Sequence, residues 1–190
     1  MQTVVEGALQ LPASVLTIGA LDGVHKGHQA LIKTAKERAT ELGVPLVVYT
    51  FDPPPRVYFK NAMLLSSLPE KLLKLESLGV DFCIIAPFNE HYMTKEVSSF
   101  ISEITELNPV EIWEGPDFHF GKNREGTIDT LQKYFSVKIM QSLRCPSGEI
   151  ISSSRIRTLF KENKQVQAEQ LLGWNLPEVL IKENQYILMN

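Results

Sequence analysis

Two histidines, His25 and His28, flank Gly27 directly after an apolar run. Side chains three residues apart at a helix start project to the same side, so we expect both imidazoles to converge on one spot. The first turn of a helix carries unpaired N–H groups and positive partial charge, which attract anions. Imidazoles donate hydrogen bonds to phosphate oxygens, and a glycine leaves room for a phosphate near the backbone. The spacing therefore predicts a phosphate site.

Two other interpretations of the histidine pair stay open at this point. The histidines could lie on the surface without a ligand, or they could bind zinc. A zinc site needs a third or fourth ligand, and only His91 and His119 are left as imidazole donors. Neither of these is suitably spaced. We therefore favour a phosphate over a metal ion.

A second group of candidate residues lies in the stretch 151–157, where three serines precede Arg155 and Arg157. Hydroxyl and N–H groups at a serine-rich helix start, together with a guanidinium fork, match phosphate oxygens. Many helices begin with serine and carry arginine toward solvent, so this stretch alone is a weak signal. Together with the histidines it predicts the second half of one anion site.

Apolar runs and helical patterns alternate along the chain, and these elements must position the site. Continuous apolar runs predict strands at 14–19, 44–51, 81–86, 110–114, 136–143 and 149–152. Helical spacing and capping signals predict helices at 27–42, 67–78, 127–134, 154–161 and 166–172, and one more that Thr94 caps. Such alternation predicts an α/β fold, a Rossmann-like parallel sheet with helices on both faces.

Ligands of such sheets bind outside the carboxyl ends of the strands. Distinctive segments follow three of the predicted strands, at 20–28, 52–56 and 115–121. The proline-rich segment 52–56 is expected to be neither helix nor inner strand, because proline lacks the N–H donor. We expect the site where these segments meet.

Composition excludes several classes of protein. The chain has 190 residues, 44% apolar and 22% charged, with a net charge of −3. This size suits one domain with its own core, and the charge gives no broad surface for nucleic acid. No apolar run is long enough to span a bilayer, the first residues lack a signal-peptide pattern, and Cys83 and Cys145 fit no metal or redox spacing. We expect a cytoplasmic protein without nucleic-acid or membrane partners.

Four segments in this order, "GALDGVHKGHQALI", "TFDPPPR", "GPDFHFGKNREG" and "ISSSRIR", resemble a known family. It is the FMN adenylyltransferase module of prokaryotic bifunctional riboflavin kinase/FAD synthetases, within the HxGH nucleotidyltransferases. HxGH identifies the superfamily alone, and the third segment points to the flavin branch. The resemblance implies a nucleotidyltransferase domain over residues 1–173. It also implies adenylyl transfer from ATP to FMN, which gives FAD and pyrophosphate.

The resemblance also implies the residues of the ATP site. The expected ATP-binding residues are Gly19, Asp22, Gly23, His25, Gly27, His28, Ser153, Ser154 and Arg157. Of these, His25, His28 and Arg157 would be catalytic, and Arg155 is a weaker candidate. Mg²⁺ would be required with ATP, with no metal ligand assigned. For Asp22 and Asp117 the sequence is equally compatible with a role in a turn or helix cap and with a role as a ligand.

For the flavin, the resemblance points to the loops after two strands. The expected residues are Pro53, Pro55, Asp117, Phe118 and Phe120. The prolines would form a stiff wall, and the phenylalanine rings would offer faces to the isoalloxazine. Phe51, at a strand end, is expected in the core.

Some positions depart from the family pattern. Ala20 and Leu21 stand where the family usually has Asn-Phe, and Pro54 stands where it usually has a histidine. These changes remove polar groups near the nucleotide and the flavin. A nucleotidyltransferase with another phosphate acceptor and a non-catalytic flavin- or nucleotide-binding paralogue are therefore the alternatives. Residues 174–190 are too short for the riboflavin kinase barrel, so we expect a short C-terminal tail and no kinase activity.

Overall fold

The computed structural model of the chain describes residues 1–174, and its centre is a parallel β-sheet. The strands are β1 Gln2–Val5, β2 Ser14–Ile18, β3 Leu46–Asp52, β4 Phe82–Pro87, β5 Pro109–Glu114 and β8 Val137–Ile139. They lie in the order β1-β4-β3-β2-β5-β8, and every neighbouring pair is parallel. A separate two-stranded hairpin joins β6 His119–Phe120 to β7 Gly126–Thr127. The predicted α/β fold is confirmed.

Eight α-helices accompany the strands within the described residues. They are α1 Lys26–Leu42, α2 Pro55–Lys60, α3 Leu68–Ser77, α4 Glu90–Met93, α5 Val97–Thr105, α6 Ile128–Gln132, α7 Ser153–Lys161 and α8 Gln165–Leu172. None of the helices in this part of the chain is both long and apolar enough to cross a membrane. The tail expected at 174–190 lies outside the described residues apart from Trp174.

Helices cover both faces of the sheet, because successive strand residues point to opposite sides. Within β3, Val48 packs in the cluster that contains Ile32 of α1 and Leu75 of α3. The adjacent Tyr49 packs in the other cluster, with Phe100 of α5. A third cluster joins α7 to α8. The prediction of helices on both faces is therefore confirmed.

Local signals placed several helix ends correctly. Ser67 accepts a hydrogen bond from the backbone N–H of Glu70, whose carboxylate accepts from the Ser67 N–H at 2.7 Å, so the predicted capping box is present. Gly43 ends α1 in the left-handed conformation, with φ of 67°. Each signal lies within a few residues, so no tertiary contact is needed to interpret it.

Other local predictions are wrong. The segment 52–56 does enter a helix. Pro55 stands at the first position of α2, where a backbone N–H would have no acceptor within the helix, so the missing N–H of proline is tolerated. Thr94 does not cap α5, which begins after Glu96, and its hydroxyl instead bonds the His91 carbonyl at the end of α4. A four-residue helix such as α4 is too short to show a helical period.

The predicted strand at 149–152 is also wrong, and the one at 136–143 is shortened to β8. Only an isolated bridge joins Arg144 to Ile150, around a tight turn. Ser152 then serves as the N-cap of α7, which ends any extension of the bridge. The edge strand β1 was not among the predicted strands.

The strand order reverses at β2, which pairs with β3 on one side and β5 on the other. In an open parallel sheet such a reversal leaves a crevice outside the carboxyl ends of the two strands. The segments that follow β2, β3 and β5 all start at this edge of the sheet. The fold therefore brings the sequence-predicted segments together.

Candidate active site

His25 and His28 converge at the start of α1, as their spacing predicted. His25 is the N-cap of α1, and its Nδ1 accepts a hydrogen bond from the His28 N–H at 3.3 Å. The two rings stack with their centroids 3.6 Å apart and their planes 17° apart. Since the His25 Nδ1 is an acceptor, its proton belongs on Nε2.

Burial holds both imidazoles in the neutral form. His25 is buried, and the loss of solvation lowers its pKa to about 4. The pKa of His28 is lowered well below its usual value, first by burial and then by the charges of His25 and Lys71. The His28 side chain lies partly in the cavity, but its Nδ1 is enclosed and has no partner among the described residues. At neutral pH each ring can donate one hydrogen bond.

The loop between β2 and α1 is held in an unusual conformation. Leu21, Gly23 and Val24 have φ values of 47°, 82° and 44°. For a β-branched residue such as Val24 this is a strained conformation, of the kind that functional loops keep. A Cβ on Gly23 would approach Leu172 to 2.9 Å, so glycine is needed there for packing as well as for φ. Packing against the last helix thus fixes the loop.

Gly27 makes room for the His25 ring and lies beside the segment that leads into α7. A Cβ at this position would lie 3.2 Å from two atoms of the His25 ring and 3.5 Å from the Ile151 carbonyl oxygen. The stretch 151–157 thus passes in van der Waals range of the start of α1. The two predicted halves of the anion site lie next to each other.

Asp22 and Arg157 link these halves through a buried ion pair between Oδ2 and Nη2. The other Asp22 oxygen accepts from the N–H groups of Leu65 and Ser66 at 3.0 and 3.2 Å. Arg157 also donates from Nε to the Met63 carbonyl at 2.7 Å. Because both Asp22 oxygens have protein partners, we do not carry Asp22 over as a phosphate or metal ligand. Arg157 keeps its Nη1 without a partner among the described residues.

The serines before Arg157 have different hydrogen-bond partners. Ser152 caps α7 by accepting from the Arg155 N–H, and Ser153 donates to the Asp22 carbonyl oxygen at 3.0 Å. The Ser154 hydroxyl contacts Arg56 of α2. The Arg155 guanidinium binds Cys145 and Glu149 away from the histidines, which agrees with its place as the weaker candidate.

Arg56 is a site residue that the sequence interpretation missed. It is exposed, and its positive charge is one of the influences that lower the pKa of Arg157, after burial. Two guanidinium groups near each other repel, and an anion between them removes that repulsion. The available signal was the basic residue directly after the prolines. Arg56 and Arg157 therefore favour an anion beside the start of α7.

A cavity of about 220 Å³ lies at the crevice between β2 and β5. Its lining comes from segments 18–31, 114–118 and 140–143 and from Ile151, and it includes Gly19, both histidines and Leu21. Glu114 forms part of the floor and accepts from the Ile18 N–H at 2.6 Å. Burial raises the pKa of Glu114 well above its usual value, which favours the neutral acid. The cavity wall at Leu21 is apolar.

A group of aromatic rings, exposed at Tyr58 and Phe59, lies at the carboxyl ends of β3 and β4. Phe88 contacts the rings of Tyr58 and Phe59 with centroids 5.6 and 5.5 Å apart, and Phe51 and Tyr92 pack behind it. Phe59 is 62% exposed. We call Phe51, Tyr58, Phe59, Phe88 and Tyr92 the aromatic cluster. The sequence interpretation placed Phe51 in the core and named no other member of the cluster, although "VYFK" directly follows Arg56.

The expected flavin residues are divided between two places. Pro53 and Pro55 precede or begin α2, beside the aromatic cluster, and Pro54 between them is buried. Phe118 and Asp117 instead line the cavity next to the histidines. The exposed Asp117 carboxylate has no protein partner among the described residues.

The expectation that Phe120 faces a ligand is corrected. Phe120 is 7% exposed and packs against Phe100 with centroids 5.1 Å apart, inside the core. Its other side stacks on Phe118 at 5.7 Å, and a Cβ on Gly126 would lie 2.6 Å from its ring. Phe120 therefore supports the loop that presents Phe118. The expectation of Phe51 near the core is consistent with its partial burial against the same cluster.

No group of three or more histidine, cysteine and acidic side chains that could hold a metal ion occurs within residues 1–174. His91 and His119, the other zinc-ligand candidates, are both exposed. The ring Nδ1 of His119 lies 2.9 Å from the Asp117 carbonyl oxygen.

The sequence of the chain is similar to those of known proteins. A profile described as FAD synthetase matches residues 8–155. A putative bifunctional riboflavin kinase/FMN adenylyltransferase of Geobacillus thermodenitrificans is 48% identical over 88% of this chain and 94% of the relative. The bifunctional riboflavin kinase/FMN adenylyltransferases of Listeria monocytogenes and Escherichia coli are each 35% identical over 84% of this chain. The chain spans only 54% of the length of these two relatives.

Solved structures share the fold. A Streptococcus pneumoniae protein described as a macrolide-efflux protein aligns with a TM-score of 0.78 and 27% identity, covering 90% of this chain and 61% of that one. A pantoate-beta-alanine ligase of Francisella tularensis aligns with a TM-score of 0.56 and 16% identity, covering 97% of this chain and 85% of that one. The second likeness concerns the fold alone.

Proposed function

The chain belongs to the FAD synthetase family, and we propose that it transfers the adenylyl group of ATP to FMN, which gives FAD and pyrophosphate. The observation that carries this proposal is the contact of the histidine loop with the start of α7. Ser153 and Arg157 both bond Asp22, so two anion-binding elements from distant parts of the sequence form one site. A triphosphate is an anion long enough to use both.

The reaction needs no nucleophile from the protein. A phosphate oxygen of FMN attacks the α-phosphorus of ATP, and the bond from that phosphorus to the β-phosphate oxygen breaks. The electron pair leaves with pyrophosphate, and a new phosphoanhydride bond joins the two nucleotides. The protein contributes by placing the reactants and by stabilising the charge that develops on the phosphate oxygens.

His25 and His28 would stabilise that charge. They begin α1 and are neutral donors, so each can hydrogen-bond a phosphate oxygen without first losing or gaining a proton. Stacking fixes the two rings with respect to each other. Donors held in place in a water-poor site strengthen as charge grows on their acceptor. Gly19, Gly23 and Gly27 would shape the loop around the phosphates.

Arg157, Ser154 and Arg56 would hold the β- and γ-phosphates at the start of α7. Asp22 orients the Arg157 guanidinium, and the Arg157 Nη1, which has no partner within residues 1–174, can bind a ligand. Ser154 and Arg56 already contact each other across the gap between α7 and α2. Arginine gives paired N–H groups that match phosphate oxygens. Ser153 would act indirectly, through the Asp22 backbone.

Mg²⁺ would enter with ATP and neutralise phosphate charge while pyrophosphate departs. Such an ion is usually held by phosphate oxygens, waters and one or two carboxylates. Of the acidic residues at the site, Asp22 is occupied by protein partners, and burial favours the neutral form of Glu114. Asp117 is exposed in the cavity lining, so it is the carboxylate that fits the ion.

The aromatic cluster would bind the isoalloxazine ring of FMN. The exposed rings of Phe59 and Tyr58 offer flat apolar faces, and Phe88 supports both. Pro53 and Pro55 set the direction of α2, which carries these rings. Arg56 lies on the same helix, so the flavin would lie close to the phosphate-binding elements.

A single assay tests the function. The protein is incubated with FMN, ATP and Mg²⁺, and FAD is measured by chromatography together with pyrophosphate release. Riboflavin with ATP serves as the control for kinase activity. No FAD, with no other product, contradicts the proposal. FMN binding without turnover would instead support a flavin-binding paralogue.

A second set of acceptors tests the alternative transferase. Pro54 is buried where the family usually has a histidine, so this chain lacks one polar group beside the flavin loop. Phosphopantetheine, glycerol phosphate and sugar phosphates are offered with ATP or CTP. Faster pyrophosphate release with one of these than with FMN would reassign the acceptor.

A cytoplasmic location stays a proposal, which cell fractionation tests.

A further inference from the structure

Lys71 is the most deeply buried charged side chain near the site, and the mechanism above does not use it. It lies on the inner face of α3 and is 1% exposed. Its ammonium donates to the Phe51 carbonyl at 2.8 Å and to the Ala20 carbonyl at 3.2 Å. It also lies 3.4 Å from the Thr50 hydroxyl oxygen. All three hydrogens of the ammonium thus have acceptors at the carboxyl ends of β2 and β3.

Lys71 has no direct counter-ion. The charges of Asp22 and Asp52 act on it, but no carboxylate of the described residues forms a salt bridge with it. Burying an ammonium without a paired carboxylate is costly, and an apolar side chain of similar length would fill the same space with less penalty. The fold therefore keeps this charge at a cost in stability.

The acceptors of Lys71 lie just beyond the point where the strands stop pairing. The ladder between β2 and β3 ends with Ile18 opposite Tyr49, followed by one bond from the Gly19 N–H to the Tyr49 carbonyl. Past this point the backbones diverge into two loops. The Thr50 hydroxyl donates to the Ala20 carbonyl at 3.2 Å, and the Lys71 ammonium completes the link to Phe51.

These two loops would carry the two substrates. The loop after Ala20 leads to His25 and His28, and the segment after Phe51 leads to Arg56 and the aromatic cluster. We propose that Lys71 is a positioning residue that fixes the distance between the ATP-binding loop and the flavin-binding loop. This inference rests on the proposed adenylyl transfer.

Positioning matters more for turnover than for binding here. Most of the proposed ATP contacts come from the histidine loop and α7, with Arg56 as the one contact from the segment after Phe51, and the proposed contacts of the isoalloxazine come from the aromatic cluster. The chemical step needs the FMN phosphate and the α-phosphorus within about 3–3.5 Å, and a misplacement of about 1 Å can cost about 100-fold in rate. Removal of Lys71 should therefore lower kcat and leave each dissociation constant nearly unchanged.

Lys71→Met tests this, because methionine keeps the apolar stem and removes the three donors. Lys74→Met is the matched control, because Lys74 lies on the same helix and is also buried, at 7% exposed. Its ammonium lies 5.8 Å from the Trp174 ring centre, whereas that of Lys71 binds the two loops. We measure kcat for FAD formation. Separately, we measure the dissociation constants of FMN by fluorescence quenching and of a non-hydrolysable ATP analogue by calorimetry.

We expect kcat of Lys71→Met to fall about 10- to 100-fold, with both dissociation constants within about threefold of wild type, and Lys74→Met to behave as wild type. An unchanged kcat overturns the inference. A loss of substrate affinity as large as the loss of kcat also overturns it, because that result indicates direct binding or general damage. A wild-type protein that forms no FAD contradicts the proposed function itself and is seen before any variant is made.

Thr50→Val decides the question if Lys71→Met does not fold, as judged by circular dichroism. This change removes the hydroxyl that links Lys71 to Ala20 and keeps the size of the side chain nearly constant. A fall in kcat with unchanged dissociation constants supports the inference. A kcat equal to that of wild type overturns it.

Discussion

The carboxylate of Asp22 and the guanidinium of Arg157 form a buried ion pair between residues that are 135 positions apart in the chain. Asp22 also binds backbone N–H groups of the segment before α3, and Arg157 binds the Met63 carbonyl in that segment. The pair therefore joins the loop after β2, the start of α7 and the segment before α3. It connects the elements that we propose bind phosphate.

Breaking this pair should destabilise the fold. Asp22→Asn leaves the Arg157 charge buried without its partner, and loss of one member of a buried pair typically costs about 3–5 kcal/mol. Urea denaturation measures the free energy of unfolding. Glu41→Gln is the control, because its pair with Arg38 is exposed and we expect no measurable change. Equal effects of the two substitutions would contradict a structural role of Asp22.

His28→Ala should lower kcat for FAD formation by about 10²–10³, the usual effect of removing one donor to a charge that develops in the transition state. The expected change in KM for ATP is smaller, because the helix start and Arg157 still hold the phosphates. Steady-state kinetics under saturating FMN measures both. His91→Ala, at an exposed position on α4, should leave kcat unchanged. A His28→Ala enzyme with full kcat excludes this role.

Glu114 should make stability fall as pH rises. Its pKa is raised in the folded protein by burial, so the folded state binds a proton more tightly than the unfolded state does. In the unfolded chain this carboxyl ionises around its ordinary pKa of 4.5, and from there up to the folded pKa each rise in pH favours unfolding. Glu114→Gln keeps a neutral acceptor for the Ile18 N–H and removes this dependence. We expect the Tm of Glu114→Gln to increase relative to the Tm of wild type as pH rises above 4.5.

Glu111, on the same strand, provides a control of opposite sign. A hydrogen bond from Arg38 is the main reason that its pKa is lowered, so its contribution is present at neutral pH and is lost as pH falls. Glu111→Gln should therefore reduce Tm at pH 7 more than at pH 3. The same pH trend for both variants would contradict the assignment of a raised pKa to Glu114.

Phe59→Ala should weaken FMN binding. An aromatic contact contributes about 0.5–1.5 kcal/mol beyond buried area, which corresponds to about a three- to tenfold rise in the dissociation constant. Quenching of flavin fluorescence measures it. Tyr134→Ala removes another exposed aromatic ring, 63% accessible and at the end of α6, and should leave binding unchanged. ATP binding should be equal in both variants, and a loss of ATP affinity in Phe59→Ala would show that the cluster has another role.

Local patterns along the chain were enough for the main elements of the fold. Alternation of apolar runs with helical spacing predicted β2, α1, β3, β4 and β5 near their observed bounds, because burial on both faces leaves a continuous apolar run. The capping box at Ser67 depends on residues three apart, so it needs no tertiary information. Short elements such as α4 and β8 were missed or misjudged, since a few residues show no period.

Most of the site was decided by contacts between distant residues. The spacing of His25 and His28 determined that they would converge, because one helix turn fixes both. Helical spacing on α3 does not show that Lys71 lies on the buried face beneath two strand ends, since a lysine is normally expected in solvent. Phe120 looked available in a polar loop, but Gly126 lets its ring enter the core.

The sequence by itself therefore determined the family, the parallel sheet and the convergence of His25 and His28, because these depend on local spacing and on motifs in order. Only the tertiary structure decided that Asp22 pairs with Arg157, that Arg56 faces Ser154, and that the exposed rings on α2 meet Phe88. Each of these relationships joins segments far apart in the chain. Their distances depend on how the strands are ordered in the sheet, and residue types alone do not give that order.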